Sequence, residues 1–184
     1  MKMRRVDYKK SGLTKSPKIR RLQSKQANEL LQSWHYLGGV RGILFALGHE
    51  EGCCVFTNCR SRIYESKHPG VIELARMVGK PDHGWAMSSL MSQSLRWMKS
   101  NTDYCSVVTY ADPFAGHDGM VYRAANWIFD GLIQKDGHPL FIIDNKRISP
   151  RTLYDRHGTQ AVAAMKAIYG VRLELVSKPQ KKDL

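Results

Sequence analysis

Four short stretches of this 184-residue chain set chemically capable side chains at the edges of apolar runs. The first, Trp34-His35-Tyr36-Leu37-Gly38-Gly39, offers an imidazole and a phenol. His35 could serve as a base or metal ligand and Tyr36 as a phenol donor or ligand. A His-Tyr pair at a helix end also serves simply as cap and core filler. The second, Glu73-Leu74-Ala75-Arg76, sets an arginine inside a mainly apolar strand. That cation needs a carboxylate within the protein or an anionic group of a ligand. Strand alternation predicts Glu73 and Ala75 on one face, with Leu74 and Arg76 on the other. The third is Ser88-Ser89 at the start of a long helix, where unsatisfied N–H groups suit an anion and a serine also suits a cap.

The fourth and densest group runs from Tyr110-Ala111-Asp112-Pro113 through Gly116-His117-Asp118-Gly119 to Tyr122, Asn126 and Trp127. Asp112 and His117 would deliver a carboxylate and an imidazole from one strand-to-helix loop. Tyr122 and Asn126, four apart, would share a helix face. Asn126 has the donor and acceptor pair that reads an adenine edge. Trp127 could stack on a base or fill the core.

The elements that must hold these groups follow from periodicity. Ser24 to Leu37 reads as a helix, with Ala27, Leu30, Leu31 and Trp34 recurring at three and four and Ser24 as N-cap. Ile43 to Leu47 and Cys53 to Thr57 read as a hairpin around a Gly-rich turn, and Val71 to Val78 as another strand. After a loop at Pro81 to Gly84, an amphipathic helix spans Ala86 to Ser100. A buried strand, Cys105 to Tyr110, then leads into Asp112, and a helix runs from Met120 to Phe129, stopped by Gly131. Phe141 to Ile143, Ser149 to His157, Gln160 to Tyr169 and Val171 to Val176 complete the series as strand, helix, helix and strand. The order predicts an α/β domain with a central mixed sheet flanked by helices, and Asp112 just beyond a strand's C-terminal end.

Charge is distributed unevenly. The net charge is +13, and residues 1 to 25 carry ten Lys or Arg against the single acid Asp7. We therefore divide the chain into a basic, flexible arm over 1–23, one catalytic domain over 24–176 and a polar tail over 177–184. Such an arm neutralises phosphates without reading sequence, which favours a polyanionic partner, chiefly nucleic acid. As a solvated tail it would aid solubility only. No long apolar run or signal-like segment occurs, so no membrane partner and a cytoplasmic location are expected; a homodimer is allowed. The four cysteines lack a C-x-x-C pair, which argues against disulfides and a zinc knuckle.

Taken together, His35-Tyr36, the ELARM stretch with Arg76, Ser89 thirteen residues later, and Asp112 with Tyr122 ten residues on resemble the Mom DNA-modification proteins of Mu-like phages. The resemblance covers roughly residues 25 to 145. It implies a fold related to the GNAT superfamily of N-acetyltransferases and conversion of adenine in DNA to an N6-carbamoylmethyl derivative that escapes host restriction. It also implies an iron held by His35, Tyr36, Asp112 and Tyr122, with Arg76 and Ser89 important for activity. Where that superfamily carries a Q/R-x-x-G-x-G/A pyrophosphate loop, this chain reads Gly79-Lys80-Pro81-Asp82-His83-Gly84-Trp85, so an acetyl-CoA cradle lacks its backbone. Ser88 and Ser89 remain as phosphate-binding candidates for an acyl donor. The alternatives are a conventional acetyl-CoA-dependent N-acetyltransferase and a DNA-binding protein without enzymatic activity.

Overall fold

In the computed structural model of the chain, residues 12–112, 115–131, 140–148 and 150–176 are described. Expectations for residues 1–11 of the arm, Pro113, Ser149 and the 177–184 tail lie outside them. The chain divides into two compact units, Met1–Phe129 and Asp130–Leu184.

The first unit is built on a five-stranded mixed sheet in the order β1-β2-β3-β4-β5. Its strands are β1 (Arg20–Leu22), β2 (Ile43–His49), β3 (Gly52–Asn58), β4 (Val71–Gly79) and β5 (Ser106–Val108). The first four pair antiparallel and β5 lies parallel to β4. A parallel neighbour requires a crossover, which α3 (Met87–Asn101) supplies. On one face, α1 (Ser24–Trp34) buries Ala27 and Leu31 against Ala46, Cys53, Val55 and Val78. On the other, Leu90, Met91 and Met98 of α3 pack on Leu47, Cys54, Phe56, Ile72 and Leu74. Each fully buried Leu in these layers contributes about 1.5–3 kcal/mol. A short helix, α2 (Arg62–Lys67), capped by the Ser61 hydroxyl, links β3 to β4.

Two features of this unit depart from the sequence reading. Residues 20–22, assigned to the arm, form an edge strand on β2, and the preceding segment runs beside α3 as a strap. The strand expected at Cys105 to Tyr110 is short, with only Val108 buried, because β5 pairs with β4 solely from Val71↔Ser106 to Glu73↔Val108. Among the described residues no strand continues along that edge of β4.

In the second unit, β6 (Leu140–Ile143) lies between β7 (Lys146–Ile148) and β8 (Leu173–Val176), all antiparallel. The helices α5 (Pro150–His157) and α6 (Val162–Tyr169) place Leu153 and Met165 on Phe141 and Ile143 as a separate small core. No helix among the described residues is long and apolar enough to cross a membrane.

Candidate functional site

The end of α1 and the loop after β5 meet. His35 leaves the helix as its C-cap, its N–H donating to Leu31 O (2.9 Å), and Gly38 at φ +65° turns the chain so that Gly38 N–H reaches His35 O. A left-handed φ at this position favours glycine. The turn leaves Tyr36 about half exposed (51%), stacked on His35 with ring centroids 4.7 Å apart. The Tyr36 hydroxyl donates to Asp112 Oδ2 at 3.0 Å, joining two stretches 76 residues apart. The backbone N–H groups of Ala115 and His117 both donate to Asp112 O, folding the loop so that the His117 ring tilts against Tyr36 at 5.5 Å. Four of the predicted residues, His35, Tyr36, Asp112 and His117, therefore form one cluster.

Arg76 adds a cation to it. The register steps from Val55↔Arg76 to Phe56↔Leu74, so Ala75 is an extra residue in β4. This bulge overturns simple alternation and carries Arg76 to the face of Glu73, because two residues of one strand now oppose one of the other. Glu73 is fully buried, and its carboxylate accepts from Arg60 N (3.1 Å), Arg60 Nε (2.9 Å) and Arg60 Nη2. Glu73, the carboxylate that the bulge sets on the face of Arg76, is thus engaged by Arg60. Arg76 Nη1 donates to Ala75 O (2.7 Å), while its buried Nε has no hydrogen-bond partner. Burial and then the Arg60 charge lower the Arg76 pKa, opposed by Tyr36 and Glu73. Sequence reasoning missed Arg60, which stands in a turn with no periodicity to mark it.

Burial, Arg76 and His117 together lower the His35 pKa to about 4, so the ring is neutral at pH 7. Its Nδ1 accepts the Leu37 N–H at 3.1 Å, which leaves the proton of the neutral ring on Nε2. His35 in this geometry is a hydrogen-bond donor rather than a base. The other predicted residues lie elsewhere. Tyr122 packs against the α3 face of the sheet, its hydroxyl accepting from Thr109 Oγ1 (3.4 Å), and burial raises its pKa. The helix bearing it, α4 (Met120–Ala124), ends five residues earlier than predicted, because Asn126 adopts φ +62°. Asn tolerates that left-handed conformation and so stops the helix. Asn126 therefore does not share a helix face with Tyr122, and Trp127 packs on the Tyr122 ring at 5.5 Å and against the core.

The Leu37 N–H is donated to His35 Nδ1, the Tyr36 hydroxyl points its proton at Asp112 Oδ2, and burial raises the Tyr122 pKa. Among the described residues no three His, Cys, Asp or Glu side chains are grouped to hold a metal ion. Of the four residues of the expected iron shell, His35, Tyr36 and Asp112 stand together, and Tyr122 packs on the α3 face of the sheet. Burial pushes the thiols of Cys53 and Cys54 up to about 12.

The start of α3 is bound by the preceding strap. Thr14 N donates to Gly84 O and Ala86 N to Thr14 O, both at 3.0 Å, so the strap runs alongside Gly84 to Ala86. Ser89 Oγ accepts the Ser16 N–H at 3.1 Å, and Ser88 is buried. The start of α3 is thus covered by the chain's own strap. The strap is held further by Gln93, whose Nε2 donates to Ser16 O (3.0 Å) and Pro17 O (3.2 Å), and by His49, whose Nε2 meets Ser16 Oγ at 3.1 Å. Trp85 closes over the hairpin turn. A Cβ on Gly52 would stand 2.8 Å from its ring and 2.6 Å from Val78 O, so only glycine allows that approach.

No curated protein matches the chain. The sequence model of the Mom protein family matches residues 17–178, a span that begins inside the strap and takes in the whole Tyr36–Asp112 cluster. The chain belongs to the Mom protein family and is a phage DNA-modification protein.

Proposed function

We propose that this chain attaches a carbamoylmethyl group to N6 of adenine in double-stranded DNA and so protects that DNA from host restriction. The observation that carries the reading is the Tyr36–Asp112 hydrogen bond, which unites His35, Tyr36, Asp112 and His117 beside Arg76. Adenine N6 lies inside a base pair, so the base must leave the stack, at a cost on the order of a few kcal/mol. The half-exposed Tyr36 ring offers a face on which the extruded base can stack.

The N6 lone pair is delocalised into the ring, and the amine must lose a proton as it attacks. Asp112 is the acceptor for that proton. A carboxylate has about four acceptor sites, so the Tyr36 bond orients it without exhausting it. The N6–carbon bond forms at the methylene of an activated carbamoylmethyl donor, whose leaving group departs with the bonding pair. Arg76, whose charge lies beside His35 and Tyr36, receives negative charge on the donor or the leaving group. His35 holds its Nε2–H toward the substrate as a neutral donor.

The test is to express the chain in bacteria, digest plasmid DNA to nucleosides and compare them by mass spectrometry with an Asp112→Ala control. A deoxyadenosine heavier by a carbamoylmethyl group and absent from the control is the expected result. Unaltered nucleosides from folded wild-type protein would overturn it. Acetyl-CoA consumption without DNA change would then identify a conventional N-acetyltransferase, and retention on DNA alone a binding protein.

A further inference from the structure

The strap and α3 enclose an open groove of about 460 Å³. Its lining includes Lys15 and Lys18 from the strap and Ser89, Ser92, Gln93 and Arg96 from the helix, with no carboxylate among the lining residues. No salt bridge among the described residues joins Lys15, Lys18 or Arg96 to an acid. Three cations collected from two elements repel one another unless an anion lies between them.

The groove is built rather than draped. Between the two lysines Ser16 is buried, its N–H on Ser89 Oγ, its carbonyl on Gln93 and its hydroxyl between His49 and Pro17 O. Thr14 is tied to Gly84 and Ala86 on one side, and Arg20–Leu22 pairs with β2 on the other. Lys15 and Lys18 therefore rise from a fixed backbone on either side of a pinned residue.

We infer that this groove is a track for backbone phosphates of duplex DNA, and that Ser89 is a positioning residue that seats the strap. The inference rests on the DNA-modification reading and assigns it a binding surface. Ser89, Ser92 and Arg96 follow one face of α3 over seven residues, roughly 10 Å at about 1.5 Å per residue. Each backbone phosphate carries one negative charge, so the three cations along the track neutralise at most about three of them. A single free phosphate would occupy only one part of it.

The test is binding of the full chain to a short duplex as a function of salt. In the Lys15→Gln, Lys18→Gln, Arg96→Gln triple variant, the slope of log K against log salt falls by about 2–3, at about 0.9 per phosphate contact. An unchanged slope in triple variant with wild-type circular dichroism overturns the inference. Duplex DNA should slow amine-reactive labelling of Lys15 and Lys18; protection by coenzyme A and not by DNA also overturns it. For Ser89→Ala, hydrogen exchange at the Ser16 amide quickens and DNA affinity drops, while Ser89→Thr retains both. Faster exchange with unchanged affinity removes Ser89 from the track. Wild-type protein that leaves deoxyadenosine unaltered sinks the proposed function but not this surface, whereas adduct formation with an unchanged slope sinks the surface alone.

Discussion

His35 and His49 fold the same local turn and finish it differently. In each, Nδ1 accepts the backbone N–H two residues on, from Leu37 at 3.1 Å and from Glu51 at 3.2 Å. Each neutral ring therefore carries its proton on Nε2. At His49 that proton is directed to the buried Ser16 hydroxyl, and the ring sits edge-on to Trp85 at 5.0 Å. At His35 the ring stacks on the half-exposed Tyr36, and no described hydrogen bond uses Nε2. The difference lies in what comes from far away in the chain. A strap residue completes one histidine and makes a closed structural joint, while the other is left facing a cluster that can accept a ligand.

The sharpest way to break this comparison is at Asp112. Asp112→Asn keeps the shape and an acceptor for Tyr36 but cannot take a proton. Deoxyadenosine adduct per cell should fall by about 10²–10⁴, the usual range for a positioned base. Near wild-type adduct levels would show that the open cluster is not where the chemistry occurs.

Arginines sharpen it next. Arg76→Gln removes a partly desolvated cation with few partners, so adduct formation should drop by about 10–100-fold with stability changed by less than about 1 kcal/mol. Arg60→Ala strands the buried Glu73 carboxylate. Its stability loss should be about 2–3 kcal/mol, below the usual value for a fully buried pair because the Arg60 side chain is 58% exposed. Paired denaturant unfolding and nucleoside analysis separate the two. Equal stability losses would mean that Glu73 serves both arginines. At the closed joint, Ser16→Ala leaves the His49 Nε2–H buried without a partner and should cost about 1–3 kcal/mol, a melting shift of about 2–4 °C per kcal/mol.

The contrast between the two histidines also shows what could be read in advance. The α1 and α3 helices and the β2–β3 hairpin were legible because their apolar residues repeat at a single period and glycines mark the turn. Arg20–Leu22 was not, since only Leu22 of its three residues is buried and the strand exists through pairing with β2. The bulge at Ala75 was equally invisible, because β3 and not the local sequence selects which residue is skipped. It is also what turns Arg76 toward Glu73. His35, Tyr36, Asp112 and His117 were each recognisable by type, but their union depends on topology that brings α1 to the loop after β5. Ser89 was recognisable as a polar group at a helix start, yet what it binds is the chain's own strap.

The smallest effect is the one that tests the comparison most directly. An unfolded histidine titrates near 6.5, whereas His35 in the folded chain titrates at about 4. The unfolded state thus binds the extra proton first. The contribution of His35 to stability is complete above about pH 6.5 and is lost as pH falls towards about 4, with no further change below. Burial lowers the His49 pKa in the same direction, so Gln at either position should reduce the loss of stability between about pH 7 and 5. Ring resonances then distinguish the two sites. Protonation of His35 takes away the acceptor of the Leu37 N–H, so the amide and ring signals of that turn should move together, and only below about pH 5. A ring that titrated near 6.5 with the Leu37 amide unmoved would mean that Nδ1 is not engaged. His35 would then be free to act as a base, and the distinction between a donor held open and a joint held closed would disappear.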